Sequence, residues 1–108
     1  MFKDKREIEG VIERYKQELV KLGISADKVI LYGSYAGGSP REDSDIDLIV
    51  ISEDFKRMNL RERLETLGLA AGRILEPIEA LGYTREEAKS KTRESFVGEV
   101  LTSLSIVL

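Results

Sequence analysis

Two short runs of this chain are apolar at every position. Val29-Ile30-Leu31 leads into Tyr32 and then a glycine, and Leu48-Ile49-Val50-Ile51 follows Asp47. A strand with one wet face alternates apolar and polar residues. A strand that is apolar throughout is covered on both faces. The β-branched content and the short length favour strands over helical segments. Any fold for this chain must therefore sandwich residues 29–32 and 46–51 between other layers. The 108 residues suffice for one domain, read here as residues 1–108, with a core that needs no staples.

The covering layers are legible as helices. Ile8, Val11, Ile12, Tyr15, Leu19 and Leu22 recur at helical spacing, so residues 3–22 are read as an amphipathic helix that stops at Gly23. Asn59 and Glu62 have the spacing of an N-cap and its N3 partner. The helix they open is expected to run to about Ala71 with Leu60, Leu64, Leu67 and Ala71 inward. Residues 74–81 are a third strand candidate, weakened by Pro77, which has no N–H for a sheet ladder. Thr84-x-x-Glu87 is a second capping box. Phe96, Val97, Val100, Leu101 and Leu104 suggest a last helix, and residues 105–108 an apolar end suited to a strand or a partner contact. Helices packed on a small mixed β-sheet, an α+β class, is the expected architecture.

Composition narrows the chemistry. There is no cysteine and no histidine. Disulfides, thiolate nucleophiles, Cys- or His-based zinc sites and the Ser-His-Asp triad are all excluded. Proton transfer and metal binding must fall to carboxylates, Lys, Tyr, Ser or the backbone. The formal charge of −3, from 17 Lys and Arg against 20 Asp and Glu, disfavours a nucleic-acid partner. No apolar run is long enough for a membrane helix, and the charged N-terminus does not read as a signal peptide, so a cytoplasmic setting is expected.

The informative stretch begins where the first apolar run ends. Gly33-Ser34 follows Tyr32, a turn of small residues intervenes, and Asp45-x-Asp47 opens the second run. Residues two apart on a strand share a face, so Asp45 and Asp47 project side by side. Two adjacent carboxylates repel unless a cation lies between them, and all-oxygen ligation suits Mg²⁺ or Mn²⁺. Gly33 permits close backbone approach, and Ser34 offers a hydroxyl and an amide to a phosphate. Three other readings are weaker. An EF-hand loop starting at Asp43 would need glycine where Leu48 stands. A Walker loop would need Gly-Lys-Ser/Thr, which is absent here. A merely solvated acidic turn fits poorly with two aspartates guarding an otherwise apolar strand.

Gly33-Ser34, ten residues, then Asp45-x-Asp47 resembles the signature of the DNA polymerase β-like nucleotidyltransferase superfamily. The short length, Ala36, Gly38 and Ser44-Asp45-Ile46-Asp47-Leu48 resemble its minimal nucleotidyltransferase branch, the antitoxin partner of HEPN toxins. Residues 79–87, Glu-Ala-Leu-Gly-Tyr-Thr-Arg-Glu-Glu, look like that branch's third-strand ending. The resemblance covers roughly residues 29–87. It implies the polymerase β-like fold and AMP transfer from ATP to a hydroxyl, with two Mg²⁺ ions (or Mn²⁺) held by Asp45, Asp47 and a third carboxylate. Glu79 fits that third position better than Glu76. The two have opposite strand parity, so a regular strand cannot aim both at one site. The resemblance also places the nucleotide's phosphates at Gly33 and Ser34 and gives Glu79 a part in taking the acceptor's proton. Arg41, Lys56, Arg57 and Arg85 are the cations available to a leaving pyrophosphate. The expected partner is a HEPN-type toxin protein, with self-association through the apolar C-terminus a further expectation. A non-catalytic module that occludes a toxin, and transfer to a small molecule, are the alternatives.

Overall fold

The structure is a computed structural model that describes residues 4–33, 45–90 and 106–107. Helix α1 (Lys5–Lys21) is capped by Asp4, whose side chain accepts from the Glu7 amide at 2.8 Å. Its stripe of Ile8, Val11, Ile12, Tyr15 and Leu19 is buried as the spacing predicts, and Gly23 follows with φ +89°. Strands β1 (Lys28–Tyr32) and β2 (Ile46–Ile51) coincide with the two apolar runs. A short 3₁₀ helix (Glu53–Arg57) and helix α2 (Leu60–Arg73) lead to β3 (Ile78–Tyr83), α3 (Arg85–Ser90) and the two-residue β4 (Ile106–Val107). Among the described residues no helix is long and apolar enough to cross a membrane.

The strands form one mixed sheet in the order β3-β2-β1-β4. β2 runs antiparallel to β1 and parallel to β3, the latter through the α2 crossover. β4 pairs antiparallel with β1, so the apolar chain end adds an edge strand to the chain's own sheet. The expected helix through Phe96–Leu104 lies outside the described residues.

Both sheet faces are covered. Val29, Leu31, Ile46, Leu48 and Val50 pack with α1, α2 and Phe55 in the main core. Ile30, Ile49 and Ile51 pack on the opposite face with Tyr32, Tyr83 and Ala88. This two-sided burial is what uninterrupted apolar strands require. The Tyr15 hydroxyl donates to the Leu67 carbonyl at 2.9 Å and ties the two long helices together.

Two expectations need correction. Asn59 and Glu62 form the capping box, but Leu60 and Leu64 do not point inward; they are 63% and 44% exposed. The inward stripe is Arg63, Leu67, Ala70 and Ala71. A guanidinium takes the place expected of a leucine because it reaches the carbonyls of Phe55, Met58 and Gly82 and the carboxylate of Glu87. The third strand also starts later than residue 74. Ile74 caps α2, and Leu75 adopts a left-handed conformation (φ +56°) at 89% exposure as the chain reverses. Pro77 stays outside the strand, where its missing N–H costs nothing, and its carbonyl accepts from the Ile46 amide at 2.8 Å.

Candidate functional site

β1 ends where β2 and β3 begin, so one end of the sheet collects Tyr32, Gly33, Asp45, Asp47 and Glu79. Tyr32 lies opposite Asp47 across the β1–β2 ladder, and Asp47 lies opposite Glu79 across the β2–β3 ladder. These three side chains share the face of Ile49 and Ile51, not the face covered by α1 and α2. Asp45 immediately precedes β2 and is exposed, while Asp47 is half-buried. The structure thus brings the three expected acidic residues to one patch. Ser34 and Arg41 lie outside the described residues.

Register separates the two glutamates in space. Glu79 is Asp47's partner on β3. Glu76 precedes the strand, and its carboxylate faces Arg14 of α1 at 3.9 Å, in the helical layer. Three candidate phosphate cations are not at the patch. Lys56 and Arg57 follow the far end of β2, and Arg85 follows the far end of β3, where it pairs with Asp27 at 3.1 Å. A six-residue strand puts them roughly 16 Å from the acidic end.

Electrostatics mark the same residues. Burial, then the negative charges of Glu79 and Asp45, hold the Asp47 carboxyl above its ordinary range. The Tyr32 phenol is raised by burial and by Asp47, Glu79 and Tyr83. Gly33 has φ +74°, and a Cβ there would overlap Asp47 Oδ2. The glycine therefore supplies a left-handed turn and the space that the Asp47 carboxylate occupies.

The donor set is all oxygen, and the excess negative charge fits a hard divalent cation. Among the described residues no three acidic side chains converge into a ready-made cage. The patch thus fits such an ion in donor chemistry and charge, without a closed ligand shell. A cleft of about 490 Å³ opens beside it, lined by Tyr32, Glu79, Leu81, Ile78 and Ala80 together with Leu64 and Gly68 of α2. Sequence reasoning missed this cleft because it depends on Leu64 pointing outward.

Residues 12–100 match the nucleotidyltransferase domain family. The chain belongs to that family. Among curated relatives, the nucleotidyltransferase domain is similar to a protein adenylyltransferase, MntA, of Thermococcus cleftensis, with 36% identity over 66 residues, 56% of this chain and 65% of that protein. It is also similar to a candidate protein adenylyltransferase of Methanocaldococcus jannaschii, with 30% identity over 59 residues, 54% of this chain and 60% of the relative. Each match spans less than two thirds of the relative's length. A solved candidate nucleotidyltransferase of Sulfolobus solfataricus superposes with a TM-score of 0.50 at 25% identity, covering 83% of this chain and 84% of the other. A toxin–antitoxin structure solved with AMP-PNP superposes with a TM-score of 0.58 at 18% identity, covering 88% of this chain and 70% of that one, a likeness of fold. The expected fold class and family are thus both found.

Proposed function

We propose that this nucleotidyltransferase domain transfers AMP from ATP to a hydroxyl of a partner protein, and that it acts as the antitoxin of a HEPN-type toxin. The observation that carries the reading is the register of Asp47 with Glu79 beside Asp45, on a sheet end where Gly33 leaves room for the Asp47 carboxylate. The names of two relatives, protein adenylyltransferases, support the transferred group and the acceptor class. The toxin–antitoxin fold neighbour supports the biological setting.

In this reading Asp45, Asp47 and Glu79 hold Mg²⁺, or Mn²⁺ in its place. Bound there, such ions would offset the negative charge that builds on the attacking and leaving oxygens of an in-line displacement. The acceptor oxygen bonds to the α-phosphorus as the bond to pyrophosphate breaks. Glu79, on the outer strand, receives the acceptor's proton directly or through water. Gly33 and Ser34 present backbone amides to the β- and γ-phosphates.

The test is mass spectrometry of a HEPN-type partner after incubation with this protein, ATP and Mg²⁺. A gain of one AMP, lost in Asp45→Asn/Asp47→Asn, is expected. An unchanged mass sinks the reading. Toxin inhibition that survives the double substitution would instead favour occlusion without catalysis. Labelled ATP with small-molecule acceptors tests the remaining alternative.

A further inference from the structure

Backbone hydrogen bonds fix which way each residue of β3 faces. The Pro77 carbonyl accepts from Ile46 and the Tyr83 carbonyl from Ser52, so odd-numbered residues of β3 turn their N–H and C=O toward β2. Even-numbered residues turn theirs outward. Of these, Gly82 has its carbonyl occupied by Arg63 Nη1 at 3.3 Å. Among the described residues Ala80 is left with both its N–H and its C=O on the outer edge of β3, an edge strand of the sheet. That edge is where the cleft opens, between α2 and the acidic face. Leu64 is nearly half exposed there, and an added Cβ at Gly68 would meet no atom within 4 Å.

We propose that this edge docks an extended segment of the acceptor protein as an added strand paired at Ala80; the inference rests on the transfer reading above. One outward N–H and C=O on a single residue form the two-bond pair that strand addition uses. A paired segment would put alternate side chains over Leu64, Gly68 and Ile78. The residues between them would fall on the face of Glu79, about 5 Å from its strand. A hydroxyl-bearing side chain at such a position is delivered to the carboxylates. Charge points to the same kind of occupant. Among the described residues Asp45, Asp47 and Glu79 have no cationic partner. In the loaded site the charges of two divalent ions and of the bound ATP roughly cancel, so the carboxylates keep the site net negative, and a segment carrying Lys or Arg beside its hydroxyl residue is favoured over an acidic one.

The test uses the full chain with the HEPN-type protein as probe. Gly68→Met fills the cleft from a helix position that glycine disfavours, so the fold gains rather than suffers. Ala80→Pro removes the outward N–H from an edge where proline is tolerated. The expected result is a KM for the partner raised about tenfold or more by either variant, with ATP affinity and kcat within about threefold of wild type. The Ala80 amide should also become protected from hydrogen exchange when the partner binds. Unchanged KM in Gly68→Met, with Ala80 equally exchangeable in the complex, overturns the docking and leaves the transfer reading intact. If wild type transfers nothing, the transfer reading fails and exchange protection alone judges the edge: protection supports the docking, its absence overturns it. Protection that grows with this chain's own concentration would mean a second copy sits there, which overturns the assigned occupant.

Discussion

Arg63 is the side chain on which several elements meet, and its removal gives a calculable loss. It is 8% exposed. Its Nε donates to the Met58 carbonyl at 3.1 Å, Nη1 to the Gly82 carbonyl at 3.3 Å, and Nη2 to the Phe55 carbonyl at 2.7 Å. The same fork donates to both oxygens of Glu87 at 2.6 and 3.2 Å and lies 5.6 Å from the centre of the Phe55 ring. Arg63→Met keeps the apolar stem and deletes every donor. Breaking a buried ion pair from one side costs about 3–5 kcal/mol. The lower end applies, because the Glu87 side chain is 38% exposed and can rehydrate. The three carbonyls, at about 1 kcal/mol of net hydrogen bond each, reach a similar total. A loss near 3 kcal/mol is a large share of the roughly 5–15 kcal/mol available, and lowers Tm by about 12 °C in a chain of this size.

Urea denaturation followed by circular dichroism checks the magnitude, and its pH dependence checks the cause. The hydrogen bond from Arg63, chiefly, holds the Glu87 carboxyl below its ordinary value of 4.5. A carboxylate with a lowered folded pKa contributes stability that is present above the unfolded value and lost as pH falls through the folded one. The gap between wild type and Arg63→Met should therefore be full at neutral pH and narrow below about 4.5. A gap under about 1 kcal/mol at pH 7, or one that is flat down to pH 3, refutes the reasoning.

Four further outcomes follow from the structure. Gly33→Ala should cost about 1–2 kcal/mol for its left-handed backbone, and because its Cβ displaces the Asp47 carboxylate, AMP transfer should fall by more than the lost folded fraction in the same melts. Asp47→Asn should raise metal-free stability at neutral pH by up to about 1 kcal/mol; since Asp47's folded pKa is raised, its ionised form weakens the fold above that pKa, and the difference should close as pH falls. Added Mg²⁺ should raise the Tm of wild type and leave Asp45→Asn/Asp47→Asn unmoved, the mass-action signature of a site in the folded state. Leu75→Gly should add about 1 kcal/mol, read from urea midpoints, by relieving a left-handed residue at the end of α2.

The parts of this molecule that were legible in its sequence are those governed by local rules. Asn59 with Glu62, and Thr84 with Glu87, are capping boxes in both sequence and structure, because each needs only four residues. Strand β2 coincides with the expected 46–51 run because two-sided burial leaves no other reading for Leu48–Ile51. Arg63 and Leu75 were not legible. An arginine reads as solvated until three carbonyls and a carboxylate from separate segments surround it. A leucine after a helix reads as the start of the next apolar strand, while here it takes the left-handed position where glycine is expected.

The candidate site falls between these cases, and the reason lies in the topology. Asp45 and Asp47 sit together by strand periodicity alone. Glu79 joins them only through a parallel register fixed 32 residues further along the chain. That register depends on where β3 begins, which Leu75 and Pro77 decide by delaying the strand to Ile78. A start at residue 74, as the apolar pattern suggests, would have put Glu76 within the strand. The turn between α2 and β3 therefore selects which glutamate faces the aspartates. It also leaves Ala80, the residue after Glu79, as the outward-facing pair at the sheet edge. The third carboxylate and the open edge beside it are one consequence of the same turn, so a change that shifts the start of β3 should alter both together.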